Sequence, residues 1–165
     1  MWEKKLKGGV SQIIVATVLT PMIVLLLLTL IISSLHIYAR NNLNQIAQES
    51  VNEISATGTL TEELNQQYKQ EIDKYKPFLK GYEVNYVFSQ YNENTKAFEP
   101  TITMINNINE DAIGNMDTTK PTKVTMIIKQ TETSTLQNIQ NLISKPNDDS
   151  HIEIRKSMLI SKHSL

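Results

Sequence analysis

The chain has 165 residues, no cysteine and a formal net charge of -1; that leaves room for one modest domain plus an appendage and excludes disulfides, thiolate catalysis and cysteine-ligated zinc. The charge is unevenly divided: residues 1–40 carry Lys4, Lys5, Lys7 and Arg40 against Glu3, while residues 41–165 carry 12 cations against 16 acids. An acidic body of this kind does not suit nucleic acid, whose binding needs clustered cations facing phosphate.

The first element is a short basic head, residues 1–12, followed by an uncharged apolar run from Ile13 to Leu35, 23 residues. As a helix rising 1.5 Å per residue the run reaches roughly 34 Å, enough to cross a hydrocarbon core of about 30 Å. "IVLLLLTLII" is apolar on every face, which does not suit a helix half-buried in a soluble core. The run is also too long for the apolar region of an ordinary secretory signal, about 7–15 residues, and Ile37-Tyr38-Ala39 is a weak cleavage site. A retained span is therefore expected over residues 13–35. Three lysines precede it and only Arg40 closely follows, so the head stays in the cytoplasm and residues 36–165 form an extracytoplasmic domain. Within the span, Pro21 removes the N–H that would bond the Thr17 carbonyl and predicts a kink. Thr17 and Thr20 can re-satisfy the opened turn. Ala16 and Thr20 form a small-xxx-small pair that allows close helix approach.

Beyond the span, Leu43, Ile46, Ala47, Val51 and Ile54 recur at three- and four-residue steps, and Gly58 is a natural stop. One helix is predicted from about Ser11 to Thr57, lipid-facing first and amphipathic after. Thr59 and Glu62 predict a capping box for a second helix. Its stripe is Leu64, Tyr68, Ile72 and Tyr75, and it ends near Lys76, before Pro77. The period then changes to two. Tyr82, Val84, Tyr86 and Phe88 share one strand face, "YNENT" is a turn, and Phe98, Ile102 and Met104 give a hairpin partner that Pro100 makes an edge strand. Residues 106–121 read as a long loop holding a helical turn. Val124, Met126 and Ile128 mark a third strand. A short helix is expected from Ser134 through Leu136, Ile139, Leu142 and Ile143, then a turn at "KPNDDS" and a last strand with Ile152, Ile154, Met158 and Ile160. Strands with a single apolar face need a cover, and the amphipathic helices supply it. The expected fold is α+β: a long N-terminal helix, transmembrane then amphipathic, packed on a small antiparallel sheet of about four strands.

Catalytic signatures are missing. There is no glycine-rich phosphate loop, G-x-S-x-G elbow, H-E-x-x-H or S-x-x-K. His36 reads as an interfacial residue and His163 lies in the tail. Asp148, Asp149, His151 and Glu153 cluster in "DDSHIE", but a metal needs three or more convergent ligands, usually from separate segments. They read as a solvated turn and strand face. No cofactor, metal or catalytic residue is assigned.

The stretches "KGGVSQIIVATVLTPMIVLLLLTLII" and "YARNNLNQIAQESVNEISATGTLT", about residues 5–60, resemble the type IV pilin-like architecture. The closer resemblance is to TadE-like minor pilins or pseudopilins and related single-span proteins on mobile elements of Gram-positive bacteria. The resemblance implies a structural component of a pilus, secretion or conjugation-type apparatus. It implies as partners the lipid bilayer and other pilin-like or assembly-platform membrane proteins, with homo- or hetero-oligomers formed through helix packing. It also implies peptidase cutting at Gly8 or Gly9. Such precursors carry a glutamate at the fifth mature position, which pairs with a neighbour's N-terminus. Here a cut after Gly8 puts Ile13 at that place, and a cut after Gly9 puts Ile14 there. Ser11 and Gln12 are the nearest polar residues, and a neutral Gln12 supplies no ion pair. The alternative function is an anchored extracytoplasmic binding or sensor module without catalytic activity. The short head carries no signalling output domain.

Overall fold

The structure is a computed structural model that describes residues 2–114, 116–117, 119–134, 137–138 and 152–160, with side chains described from residue 15 onward. Its elements in chain order are helix α1 (Trp2–Thr57), α2 (Glu62–Asp73), strands β1 (Tyr82–Asn92) and β2 (Ala97–Ile105), the short helix α3 (Glu110–Gly114), β3 (Thr122–Gln130) and β4 (Glu153–Leu159). The four strands form one antiparallel sheet in the order β2-β1-β3-β4. The expected α+β fold, with a long helix laid on a small antiparallel sheet, is what the chain adopts.

Helix α1 begins at Trp2, not near Ser11. The residues before the glycine pair are ordinary helix formers, and Gly8 and Gly9 each cost only about 1 kcal/mol relative to alanine, so the helix runs through them. It also continues through Pro21. Its end is as expected. Gly58 takes a left-handed conformation, φ 72°, and its N–H donates to the Ile54 carbonyl at 2.8 Å, closing the last turn as glycine caps do.

The cap of α2 differs from the Thr59–Glu62 expectation. Thr61 is the N-cap, and its hydroxyl accepts from the Leu64 N–H at 3.2 Å. Leu60 is buried in the core, so the chain must stay extended through residue 60 to deliver that side chain before a helix can begin. The Glu62 N–H donates instead to Glu110 Oε1 at 2.9 Å, which ties α2 to α3. Helix α2 ends at Asp73 and tightens into successive three-residue turns. Tyr75, Lys76 and Phe78 N–H groups donate to the Ile72, Asp73 and Tyr75 carbonyls. Pro77 denies the α-helix its continuation.

The strands follow the alternation read from the sequence except at Phe98, expected on the face of Ile102 and Met104: the register shift at Phe88/Ser89 sets it opposite Tyr91 on the other face, with Lys123 Nζ 5.1 Å from its ring centroid. Val84, Tyr86 and Phe88 of β1 stand opposite Ile128, Met126 and Val124 of β3, and Ile128 stands opposite Ile154 of β4. With Met104 of β2 these side chains form the sheet's apolar face. The stripe Leu43, Ile46, Ala47, Val51 and Ile54 of α1, and Tyr68 and Ile72 of α2, close over it. Pro100 lies in edge strand β2, where the register shifts between Phe88 and Ser89, so that the missing N–H falls at a bulge. Both strands of the hairpin run further than the apolar residues marked, to Asn92 and from Ala97. The loop after β2 holds α3 as its helical turn.

A buried polar knot closes the end of β3. The Ser134 hydroxyl accepts from the Gln137 N–H at 3.2 Å, and Gln137 Oε1 accepts from the Ser134 N–H at 2.7 Å. This is a reciprocal capping box at the residue where a helix start is expected. Gln130 and Gln137 exchange side-chain amide bonds at 2.7 and 3.2 Å, and Gln130 Oε1 accepts from the Ile152 N–H at 3.1 Å. Leu136, Ile139, Leu142 and Ile143, like Asp148, Asp149, His151 and His163, lie outside the described residues.

Candidate functional surface on the long helix

Helix α1 behaves as two helices in series. From Val15 to Ile31 not one side chain is buried, although most are large and apolar. Met22 is 65% exposed and Leu26 61%. Exposure is spread around the whole circumference, so no polar face turns to water. Soluble monomers rarely expose contiguous apolar patches above a few hundred Å². Seventeen residues of all-round apolar helix, roughly 25 Å long, demand a non-aqueous environment. This is the one helix among the described residues long and apolar enough to cross a membrane. The polar groups within it are satisfied locally. Thr29 and Ser34 hydroxyls donate to the Leu25 and Leu30 carbonyls, both at 2.8 Å, so neither needs water as a partner.

The second half starts at Ile32, the first buried residue, and continues through Ala39, Leu43, Ile46, Ala47, Ser50, Val51, Ile54 and Ser55. Small residues at 39, 47, 50 and 55 let the helix come close to the sheet. Polar contacts then fix its register. The Ser55 hydroxyl donates to the Leu159 carbonyl at the end of β4, and Ser50 lies 3.5 Å from the Tyr86 hydroxyl. The Tyr68 hydroxyl donates to Glu53 Oε2 at 2.6 Å. Burial first, and then the Glu53 carboxylate, raises the Tyr68 hydroxyl well above its ordinary pKa. Tyr86 is pushed up to about 12, chiefly by burial. Both hydroxyls stay neutral and serve as struts.

The residues singled out from the sequence fall in the first half. Ala16, Thr17, Thr20 and Pro21 are all exposed, so the small-xxx-small face is open. Gly8 and Gly9 lie inside the helical backbone. His36 is half-buried, its ring edge-on to Phe78 with centroids 6.5 Å apart. Tyr38 and Tyr75 make a second ring contact, tilted at 54°, with centroids 6.5 Å apart. Tyr75 belongs to the periodic stripe read for α2 and Phe78 to none, and neither was read as a partner of α1. Their signal is compositional: "KYKPFLKGY" alternates lysines with aromatic and apolar residues.

Among the described residues no group of three or more His, Asp or Glu side chains converges as a metal site. A cleft of about 710 Å³ lies at the opposite end of the sheet between the β1–β2 hairpin and Thr119–Pro121. Two acids, Glu93 and Glu99, line it, and Glu99 accepts from Asn92 at 2.8 Å and Thr95 at 2.7 Å. Those bonds hold the Glu99 pKa below the usual range, so Glu99 is a fixed anion and not a poised proton donor.

No protein-family model, curated protein or solved structure matches this chain. The functional reading therefore rests on its own residues.

Proposed function

We propose that this chain is a membrane-anchored, pilin-like or TadE-like structural component of a bacterial surface pilus, secretion or conjugation-type apparatus. The carrying observation is the continuity of α1. One helix is apolar and uncovered from Val15 to Ile31, then becomes a spine buried against the sheet from Ala39 to Ser55. A bilayer covers the first half, and the open Ala16/Thr20 face packs beside the helices of other subunits. The three lysines at the start keep the head in the cytoplasm and place the α+β domain outside. Function is then carried by protein–protein contact, without catalysis. The polar cleft beside Glu99 supports the second reading, an anchored binding module.

Capture of the detergent-solubilised full chain from native membranes separates the two. Recovery of other single-span pilin-like proteins or an assembly-ATPase platform supports the structural reading. Recovery of a soluble ligand alone overturns it in favour of the binding module. N-terminal sequencing of the membrane-bound protein adds the processing state. A start at Gly9 or Val10 means pilin-type trimming, a start at Met1 means a retained anchor, and a start near Arg40 removes the packing helix and sinks the structural reading.

A further inference from the structure

We infer that the turn between α2 and β1, residues 74–81, is a second membrane contact that seats the domain on the phospholipid headgroup layer. The inference rests on the reading of α1 as a span. If the uncharged run 13–35 crosses the bilayer, Leu35 lies at the outer edge of the hydrocarbon. Residues 36–40, at 1.5 Å each, then rise through the headgroup zone, about 5–7 Å deep on each side. The two aromatic contacts fix the turn at that height. Phe78 packs on His36, one residue past the run, and Tyr75 packs beside Tyr38, three residues past it.

The turn's composition matches the layer it meets. Lys74, Lys76 and Lys80 are exposed, and Phe78 and Tyr75 are only partly covered. Amphipathic aromatics and snorkelling lysines are the side chains enriched where hydrocarbon gives way to headgroups. The lysines are paired with Glu71, Asp73 and Glu132 at 2.6, 3.0 and 3.7 Å. All members of these pairs are solvent-exposed, so they bind weakly and yield readily to lipid phosphate. Leu35, Ile37 and Tyr38 are exposed on α1 at the same level along the helix.

The turn is also held in place, as a headgroup contact requires. Leu79 is buried in the core. The Thr131 N–H donates to the Gly81 carbonyl at 2.8 Å, and the Glu132 N–H donates to the Lys80 carbonyl at 3.1 Å. Gly81 has φ +64°, and a Cβ there would fall 2.6 Å from Thr131 Oγ1, so only glycine closes this junction without strain. Strand β1 then climbs away from the membrane: Tyr86 sits beside Ser50, and Phe88 lies near the level of Ser55. With two contacts, the span and the turn, the domain loses the freedom to swing about α1. Its sheet and hairpin point in a set direction for neighbouring subunits.

The test is depth-dependent fluorescence quenching of the full chain in phosphatidylcholine/phosphatidylglycerol vesicles. The single tryptophan is removed as Trp2→Phe, and one tryptophan is restored at a time: Phe78→Trp, Tyr75→Trp, Leu26→Trp or Glu93→Trp. Lipids brominated near the headgroup end of the acyl chain should quench Phe78→Trp and Tyr75→Trp strongly and blue-shift their emission. Lipids brominated near the bilayer centre should quench Leu26→Trp most. Glu93→Trp, at the exposed hairpin tip, should lose no emission with either lipid. If Leu26→Trp is quenched but both turn variants behave like Glu93→Trp, the turn does not touch lipid and the inference falls while the span stands. If Leu26→Trp is unquenched, the span reading falls first. A turn held by a protein neighbour would show as a blue shift without quenching, which also overturns the inference.

Discussion

Truncating Leu43 and truncating Leu26 should have opposite consequences, although both are leucines of one helix. Leu43 is fully buried against the sheet, whereas Leu26 is 61% exposed. Leu43→Ala removes about three methyl or methylene groups from the core, worth about 2.4 kcal/mol at about 0.8 kcal/mol each. A cavity term raises that to about 3–4 kcal/mol, because a helix pinned by Ser50, Ser55 and Glu53 cannot sink to refill the gap. At roughly 3 °C per kcal/mol the domain's melting temperature should fall by about 10 °C. Leu26→Ala should change it by less than the equivalent of about 0.5 kcal/mol. The assay is thermal and urea unfolding of the detergent-solubilised chain, followed by near-ultraviolet circular dichroism of its six tyrosines. Comparable losses from the two variants would refute the division of α1 into a docked half and an uncovered half. A silent Leu43→Ala would refute the docking itself.

Gln137→Leu should cost about 1–3 kcal/mol in the same urea assay, since it takes the side-chain acceptor from the buried Ser134 N–H and one of two partners from each Gln130 amide atom; stability unchanged from wild type would dismiss the knot as incidental. Asp73 has its pKa depressed, first by the Tyr82 hydroxyl donating at 2.6 Å and then by Lys76. A depressed carboxylate stabilises the fold above its unfolded pKa of about 3.9 and loses that contribution as pH falls through its folded value. Asp73→Asn should therefore lower stability modestly at neutral pH, leave it little changed below the folded pKa, and so flatten the acid limb of the stability curve; an unaltered acid limb counts against the Tyr82 contact. In a chain without native cysteine, Ala16→Cys and Thr20→Cys should form disulfide-linked dimers in membranes if copies pack on the small-residue face. Val18→Cys, about 200° around the helix, should not; equal yield at all three positions would mean that the face has no packing preference.

Much of the fold was legible because it is written in local periods. The three- and four-residue steps from Leu43 to Ile54 marked the docked stripe, and alternation in "YEVNYVFS" marked the face it covers. Pro100 marked the edge strand, and Ser134 marked a helix start that its capping box with Gln137 supports. The shifted cap at Thr61 was not legible, because it depends on where Leu60 must go in three dimensions. Nor was the Gln130–Gln137 pair, whose burial follows from tertiary packing and not from hydropathy. The candidate surface divides in the same way. The uncharged run announced the apolar half of α1. The approach of Phe78 to His36 joins residues 42 positions apart, and only the path of α2 alongside α1 brings them together.

The most direct test of the account is labelling of single cysteines by a membrane-impermeant maleimide in intact cells. The account predicts that Glu93→Cys reacts without lysis, that Lys5→Cys reacts only after permeabilisation, and that Leu26→Cys reacts in neither state. Labelling of Leu26→Cys in intact cells, or reaction of Lys5→Cys while Glu93→Cys stays protected, would contradict it.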